Sequence, residues 1–175
     1  MTAALAMADS QTQAAAIALL DLCKTKKLMV ATAESCTGGL VAGALTDIAG
    51  SSAVVERGFV TYTNSAKQQM LGVPADTLKQ HGEVSRQTAE AMAKGALAHA
   101  PADLAVAITG IAGPGGGSEA KPVGLVHFAA AARGGNLIHR EQRFGDIGRA
   151  EVRRLSVLEA LAMLTELAKA AAPKG

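Results

Sequence analysis

The sequence predicts an α/β fold: a single three-layer αβα domain with a mixed, mostly parallel sheet, closed by a C-terminal hairpin plus helix. Three observations carry that prediction. Segments with apolar residues at helical spacing alternate with short apolar runs, the order produced when strands are joined by helical crossovers. The 175 residues amount to about one domain. The chain has no Trp, one Tyr and three Phe against 38 Ala and 19 Gly, so its core must be built from Ala, Val, Leu and Ile, which suits helices lying close to a sheet.

Residues 1–10 read as an N-terminal tail and residues 11–172 as the domain. Over residues 11–26, Ala14, Ile17, Ala18, Leu20 and Leu22 recur at helical spacing, and the basic stretch Lys24 to Lys27 suits a helix C-terminus. Residues 28–33 form a short apolar run that stops at Glu34-Ser35-Cys36-Thr37-Gly38-Gly39. Helical spacing returns at Leu40, Val41, Ala44, Leu45 and Ile48, giving strand, tight turn and helix. A second strand is predicted over residues 54–62. An amphipathic segment follows Asn64 and Ser65 and breaks at Gly72 and Pro74, which leaves His81 in a loop. Ser85 is placed to cap a helix that stops before Pro101. Residues 103–109 read as a buried strand by continuous apolar content and run into residues 110–118, the most glycine-rich loop. Residues 123–132 and 137–144 flank Gly134-Gly135-Asn136, a hairpin signal. Val152, Leu155, Leu158, Leu161, Met163 and Leu164 form the apolar face of a last helix over residues 147–171.

Composition narrows the function classes. A net charge of +2 and the absence of aromatic residues within a basic patch argue against nucleic acid as a partner. No apolar run reaches the roughly 20 residues of a membrane span, so no membrane association is expected. The Ala-rich N-terminus lacks a basic start and is interrupted by Asp9, unlike a secretion signal. Cys23 and Cys36 have no CxxC partner, and His81, His99, His127 and His139 show no ligand spacing. Reduced thiols, a cytoplasmic setting, no metal and no cofactor are expected. The high apolar content for one small domain makes a homodimer the expected assembly.

In open α/β sheets, ligands sit beyond the carboxyl ends of the strands. After the first strand come Glu34, Ser35 and Thr37 with Gly38 and Gly39; after the second, Tyr62, Asn64 and Lys67; after the third, Thr109 and the glycine loop; after the last, Asp146 and Arg149. Parallel strands bring these to one edge. Ser35 then occupies a nucleophile's position, with helix-start amides near Thr37, Gly38 and Gly39 available to an oxyanion; the same position also suits a plain helix cap. Lys67 is either the base, made neutral by burial, or a solvated helix residue. The loop around Gly113 and Gly115 reads equally as a phosphate cradle, with Lys121 or Arg149 as counter-charge, or as a flexible lid. It lacks P-loop spacing, and Pro114 breaks the dinucleotide-binding register. Cys36 is either a thiol nucleophile or core packing.

AESCTGG at 33–39, TDIAGSSAVVERGFVTYTNSAK at 46–67, HGEVS at 81–85, ITGIAGPGGGSEAKPVG at 108–124 and GDIGRAEVRR at 145–154 resemble the CinA C-terminal domain family. The resemblance spans roughly residues 11–170. It implies a small-molecule nucleotide substrate, because stand-alone family members hydrolyse the carboxamide of nicotinamide mononucleotide to nicotinate mononucleotide and ammonia in pyridine nucleotide salvage. The family's Ser/Lys dyad falls on Ser35 and Lys67, and further site positions match Ser52, Tyr62, Thr109 and Arg149. Ser35, Lys67, Tyr62 and Ser52 are thus expected to be catalytic, and Thr37, Gly38, Gly39, Thr109, Gly113, Gly115 and Arg149 to bind substrate. Ser52 precedes its strand, which makes it the poorer partner for Lys67 unless a neighbouring subunit supplies it. The competing expectations are a non-catalytic nucleotide-binding module linked to competence and a structural dimerisation domain.

Overall fold

Asp9 starts the first helix by accepting hydrogen bonds from the amides of Gln11 and Thr12. The computed structural model describes residues 8–175, so most of the expected tail lies outside the described residues. From there the chain runs α1 (Ser10–Lys26), β1 (Val30–Glu34), α2 (Leu40–Thr46), a 3-10 turn (Ser51–Ala53), β2 (Val55–Val60), α3 (Asn64–Leu71), α4 (Ala75–His81) and α5 (Arg86–Ala98). It continues as β3 (Leu104–Gly110), β4 (Leu125–Ala132), β5 (Leu137–Arg143) and α6 (Arg149–Ala170).

The five strands form one sheet in the order β2-β1-β3-β4-β5. β1 is parallel to β2 and β3, whereas β4 is antiparallel to both β3 and β5. β5 therefore points the same way as β1, β2 and β3, and the carboxyl ends of these four strands share one edge.

Residue size alternates along the central strands and sorts the two faces. Val30, Leu104, Val106, Ile108, Val126 and Phe128 point to the side covered by α1, α2 and α6. Ala31, Ala33, Ala105, Ala107, Ala129 and Ala131 point to the side covered by α5, together with Leu71, Val73 and Leu78. The run read as continuously apolar is thus an alternation of large and small side chains. An alanine face lets α5 approach the sheet closely.

Two details place the site. The Gly72–Pro74 break does not end the helical structure, because proline's fixed φ suits a helix start; Pro74 opens α4, and His81, expected in a loop, is its last residue. α3 rests on α5 at Gly95, where any Cβ would collide with the Leu71 carbonyl. Among the described residues, no helix is long and apolar enough to cross a membrane.

Candidate active site

β1 ends in Glu34, a fully buried carboxylate. It accepts hydrogen bonds from the amides of Val41 (2.9 Å) and Ala42 (3.1 Å), in the first turn of α2. Negative charge is favoured at a helix start, where amides lack intrahelical partners. Between Glu34 and α2 the chain turns sharply through Gly38 (φ 58°) and Gly39 (φ 103°), a left-handed backbone that glycine adopts without penalty. The Gly38 amide closes the turn on the Ser35 carbonyl at 3.0 Å. From α6, Arg153 donates to the carbonyls of Cys36 (3.1 Å) and Thr37 (3.3 Å). Ser35 is therefore presented by a turn held from both sides.

Lys67 arrives from the neighbouring crossover. Thr63 caps α3 by accepting from the Ala66 amide, and Lys67 lies one turn later, 1% exposed. Its Nζ stands 3.0 Å from Ser35 Oγ and donates to the Thr61 carbonyl at 2.9 Å. Burial lowers the Lys67 pKa from the usual lysine value, against the opposing charge of Glu83. In the neutral form, the Nζ lone pair can take the Ser35 hydroxyl proton while an N–H still donates to Thr61. Burial also pushes the Cys36 thiol up to about 12, so at neutral pH it is protonated and packs rather than attacks.

Ser35, Tyr62, Thr109, Gly113, Gly115 and Arg149 line one cavity of about 250 Å³. Arg149, the first residue of α6, spans its mouth, donating to the Gly113 carbonyl (2.8 Å) and the Tyr62 hydroxyl (2.9 Å). Thr109 donates to the Glu83 carbonyl at 2.7 Å and so ties the α4–α5 connection to the end of β3. Among the described residues, the amides of Gly113, Gly115 and Gly116 donate to no protein acceptor, which suits an anion cradle. Lys121, weighed as a counter-charge, instead donates to the His81 carbonyl at 2.7 Å.

Other expected positions lie elsewhere. Ser52 is exposed in the 3-10 turn that precedes β2, at the opposite end of the sheet from Ser35. Gly38 and Gly39 line a separate cavity between α1, α2 and α6, and Thr37 is fully buried with its hydroxyl unpartnered. Of the amides expected to meet an oxyanion, that of Gly38 is engaged by the Ser35 carbonyl, whereas among the described residues those of Thr37 and Gly39, like that of Cys36 beside the nucleophile, donate to no carbonyl. The sequence places Glu34 at this edge without pointing to a role for it, and points to none for Glu83 or Arg153. Arg153 had a usable signal, since it lies one helical turn beyond Arg149 on the same face. Among the described residues, no group of three His, Cys, Asp or Glu could hold a metal ion.

Residues 7–168 match the CinA C-terminal domain. The chain belongs to this family. It is 58% identical over 142 residues to the nicotinamide-nucleotide amidohydrolase PncC of Escherichia coli (strain K12), covering 81% of this chain and 85% of that protein. The competence/damage inducible protein CihA from Agrobacterium tumefaciens superposes with a TM-score of 0.91 at 60% identity, covering 91% of this chain and 97% of that one. A CinA-like protein of Mycobacterium sp. (strain MCS) is 54% identical over 136 residues, 77% of this chain and 32% of that protein, so the CinA C-terminal domain also occurs within longer chains.

Proposed function

We propose that this chain is a nicotinamide-nucleotide amidohydrolase that converts nicotinamide mononucleotide to nicotinate mononucleotide and ammonia, a salvage step in pyridine nucleotide metabolism. The observation that carries this reading is the 3.0 Å approach of a buried lysine amine to a serine hydroxyl on the wall of a polar cavity. Neutral Lys67 takes the Ser35 proton as Ser35 Oγ attacks the carboxamide carbon. In this scheme the Cys36 amide donates to the developing oxyanion. Collapse breaks the C–N bond, and the Lys67 ammonium returns its proton to the departing ammonia. Water then attacks the ester with Lys67 again as base, releasing the nicotinate product and restoring Ser35.

The remaining residues bind and orient. Arg149 and the amides around Gly113 and Gly115 hold the phosphate, Tyr62 bounds the ring side of the mouth, and Thr109 fixes the opposite wall. Ser52 has no role within one chain in this scheme. The scheme assigns every proton to a named side chain and calls for no metal or cofactor. We read the protein as a cytoplasmic homodimer; the exposed Val60, on edge strand β2, and the exposed Leu40, which follows Gly39 next to it, support the dimer. The test is to incubate the purified protein with nicotinamide mononucleotide and measure ammonia. Stoichiometric release by the native protein and none by Ser35→Ala is the expected result; ligand binding without ammonia would favour a binding module.

A further inference from the structure

Glu83 is a carboxylate left unused by this scheme. It lines the same cavity as Ser35 and Arg149, and among the described residues it enters no ion pair. The segment that carries it is tied down on all sides. Lys121 donates to the His81 carbonyl (2.7 Å), Thr88 and Ser85 both donate to the Gly82 carbonyl (2.7 and 3.0 Å), and Thr109 donates to the carbonyl of Glu83 itself (2.7 Å). The nearby basic side chains bond to groups other than Glu83. Arg149 is engaged with Gly113 and Tyr62, and Lys67 with Ser35 and Thr61. The negative charge of Glu83 opposes the lowering of the Lys67 pKa by burial. Glu83, which is solvent-exposed, and Arg149 thus line one space of about 250 Å³, and among the described residues the carboxylate has no protein cation as partner.

We propose that Glu83 makes this cavity selective for a positively charged ring next to the scissile carboxamide, while Arg149 takes the anionic end of the same zwitterionic ligand. The proposal rests on the amidohydrolase reading above. An oxidised pyridinium nucleotide carries its positive charge in the ring that bears the carboxamide; the dihydropyridine form has nearly the same outline and no ring charge. Coulomb attraction to Glu83 favours the first alone. Hydrolysis then places a new carboxylate in the same space, where repulsion from Glu83 favours release of the product.

The test compares binding of nicotinamide mononucleotide and its reduced, dihydropyridine counterpart in Ser35→Ala, which removes the nucleophile, and in Ser35→Ala with Glu83→Gln, by titration calorimetry. Ser35→Ala should prefer the cationic ring, and Glu83→Gln should reduce that preference about fivefold by weakening the cationic ligand alone, the scale of a partly exposed charge pair. Equal weakening of both ligands, or an unchanged preference, overturns the proposal. The parallel ammonia assay on the native protein separates the two readings. Ammonia release with an unchanged preference removes the role of Glu83 alone. A preference lost with Glu83→Gln, without ammonia release by the native protein, upholds charge selection and removes the hydrolase reading.

Discussion

Lys67 Nζ and Ser35 Oγ lie 3.0 Å apart although 32 residues separate them in the chain. Because each is chemically weak without the other, they act as one unit. Ser35→Ala and Lys67→Ala are each expected to reduce turnover by on the order of 10⁴-fold or more, with the double variant little worse than either. Ser52→Ala, altered at the far end of the sheet, should keep most of the activity. Steady-state ammonia release from variants with native circular dichroism checks all four.

Lys67 also sets a pH dependence. Its neutral form is the base, so ammonia release should fall as pH drops through its lowered pKa, on a limb below the ordinary lysine titration near about pH 10.4. Stability responds through the same proton. Between the lowered and ordinary values the unfolded chain binds a proton that the folded chain does not, so burying Lys67 costs stability that grows as pH falls through this window and vanishes above it. Calorimetry should show the Tm of Lys67→Met gaining on the native protein from pH 10 towards pH 7. A constant difference would mean that Lys67 keeps its charge when folded.

Arg149 spans the cavity mouth from the exposed side. Arg149→Ala should weaken binding of the phosphorylated substrate by about 1.5–3 kcal/mol, roughly 10- to 150-fold in KM. The corresponding nucleoside, which lacks the phosphate, should be hydrolysed nearly as well by the variant as by the native protein. Equal losses on both substrates would place the phosphate elsewhere.

Gly95 controls the seat of α3. Gly95→Ala forces a methyl against the Leu71 carbonyl, which should destabilise the protein by about 1–3 kcal/mol. The helix that carries Lys67 must shift to relieve it, so kcat should fall more than KM rises. Urea unfolding and Michaelis kinetics on one preparation test both parts.

Activity should persist in a chelator, since the proposed steps use Ser35, Lys67 and water alone. Ammonia release lost in EDTA and restored by a divalent ion would replace the Ser35 nucleophile with metal-activated water.

Strand polarity and the residues after each strand make most of the site legible in advance. Ser35, Lys67, Thr109 and Arg149 converge because β1, β2, β3 and β5 end on one edge, and Ser52 is excluded by the same polarity. What stays hidden depends on contacts between distant segments. Gly72 and Pro74 read as terminators, yet proline opens α4. Glu34 reads only as a residue of the turn after the first strand, and its burial depends on α2 folding back to bring it the amides of Val41 and Ala42. The neighbourhood of Glu83 depends on Thr109, 26 residues later in the chain.

Because β4 runs against β3, the glycine-rich connection leaves and re-enters the sheet at the same edge. Its base is clasped by the Ile111 amide on the Leu125 carbonyl (2.9 Å) and the Gly124 amide on the Ile111 carbonyl (2.8 Å). Beyond that clasp the loop is anchored at Gly117, where a Cβ would stand 2.7 Å from the Val123 amide nitrogen, and at Lys121, which reaches the His81 carbonyl. Recognition and bond cleavage therefore lie on separate segments, and a library confined to the exposed Glu119 and Ala120 is expected to change nucleotide preference while leaving the Ser35–Lys67 distance unchanged.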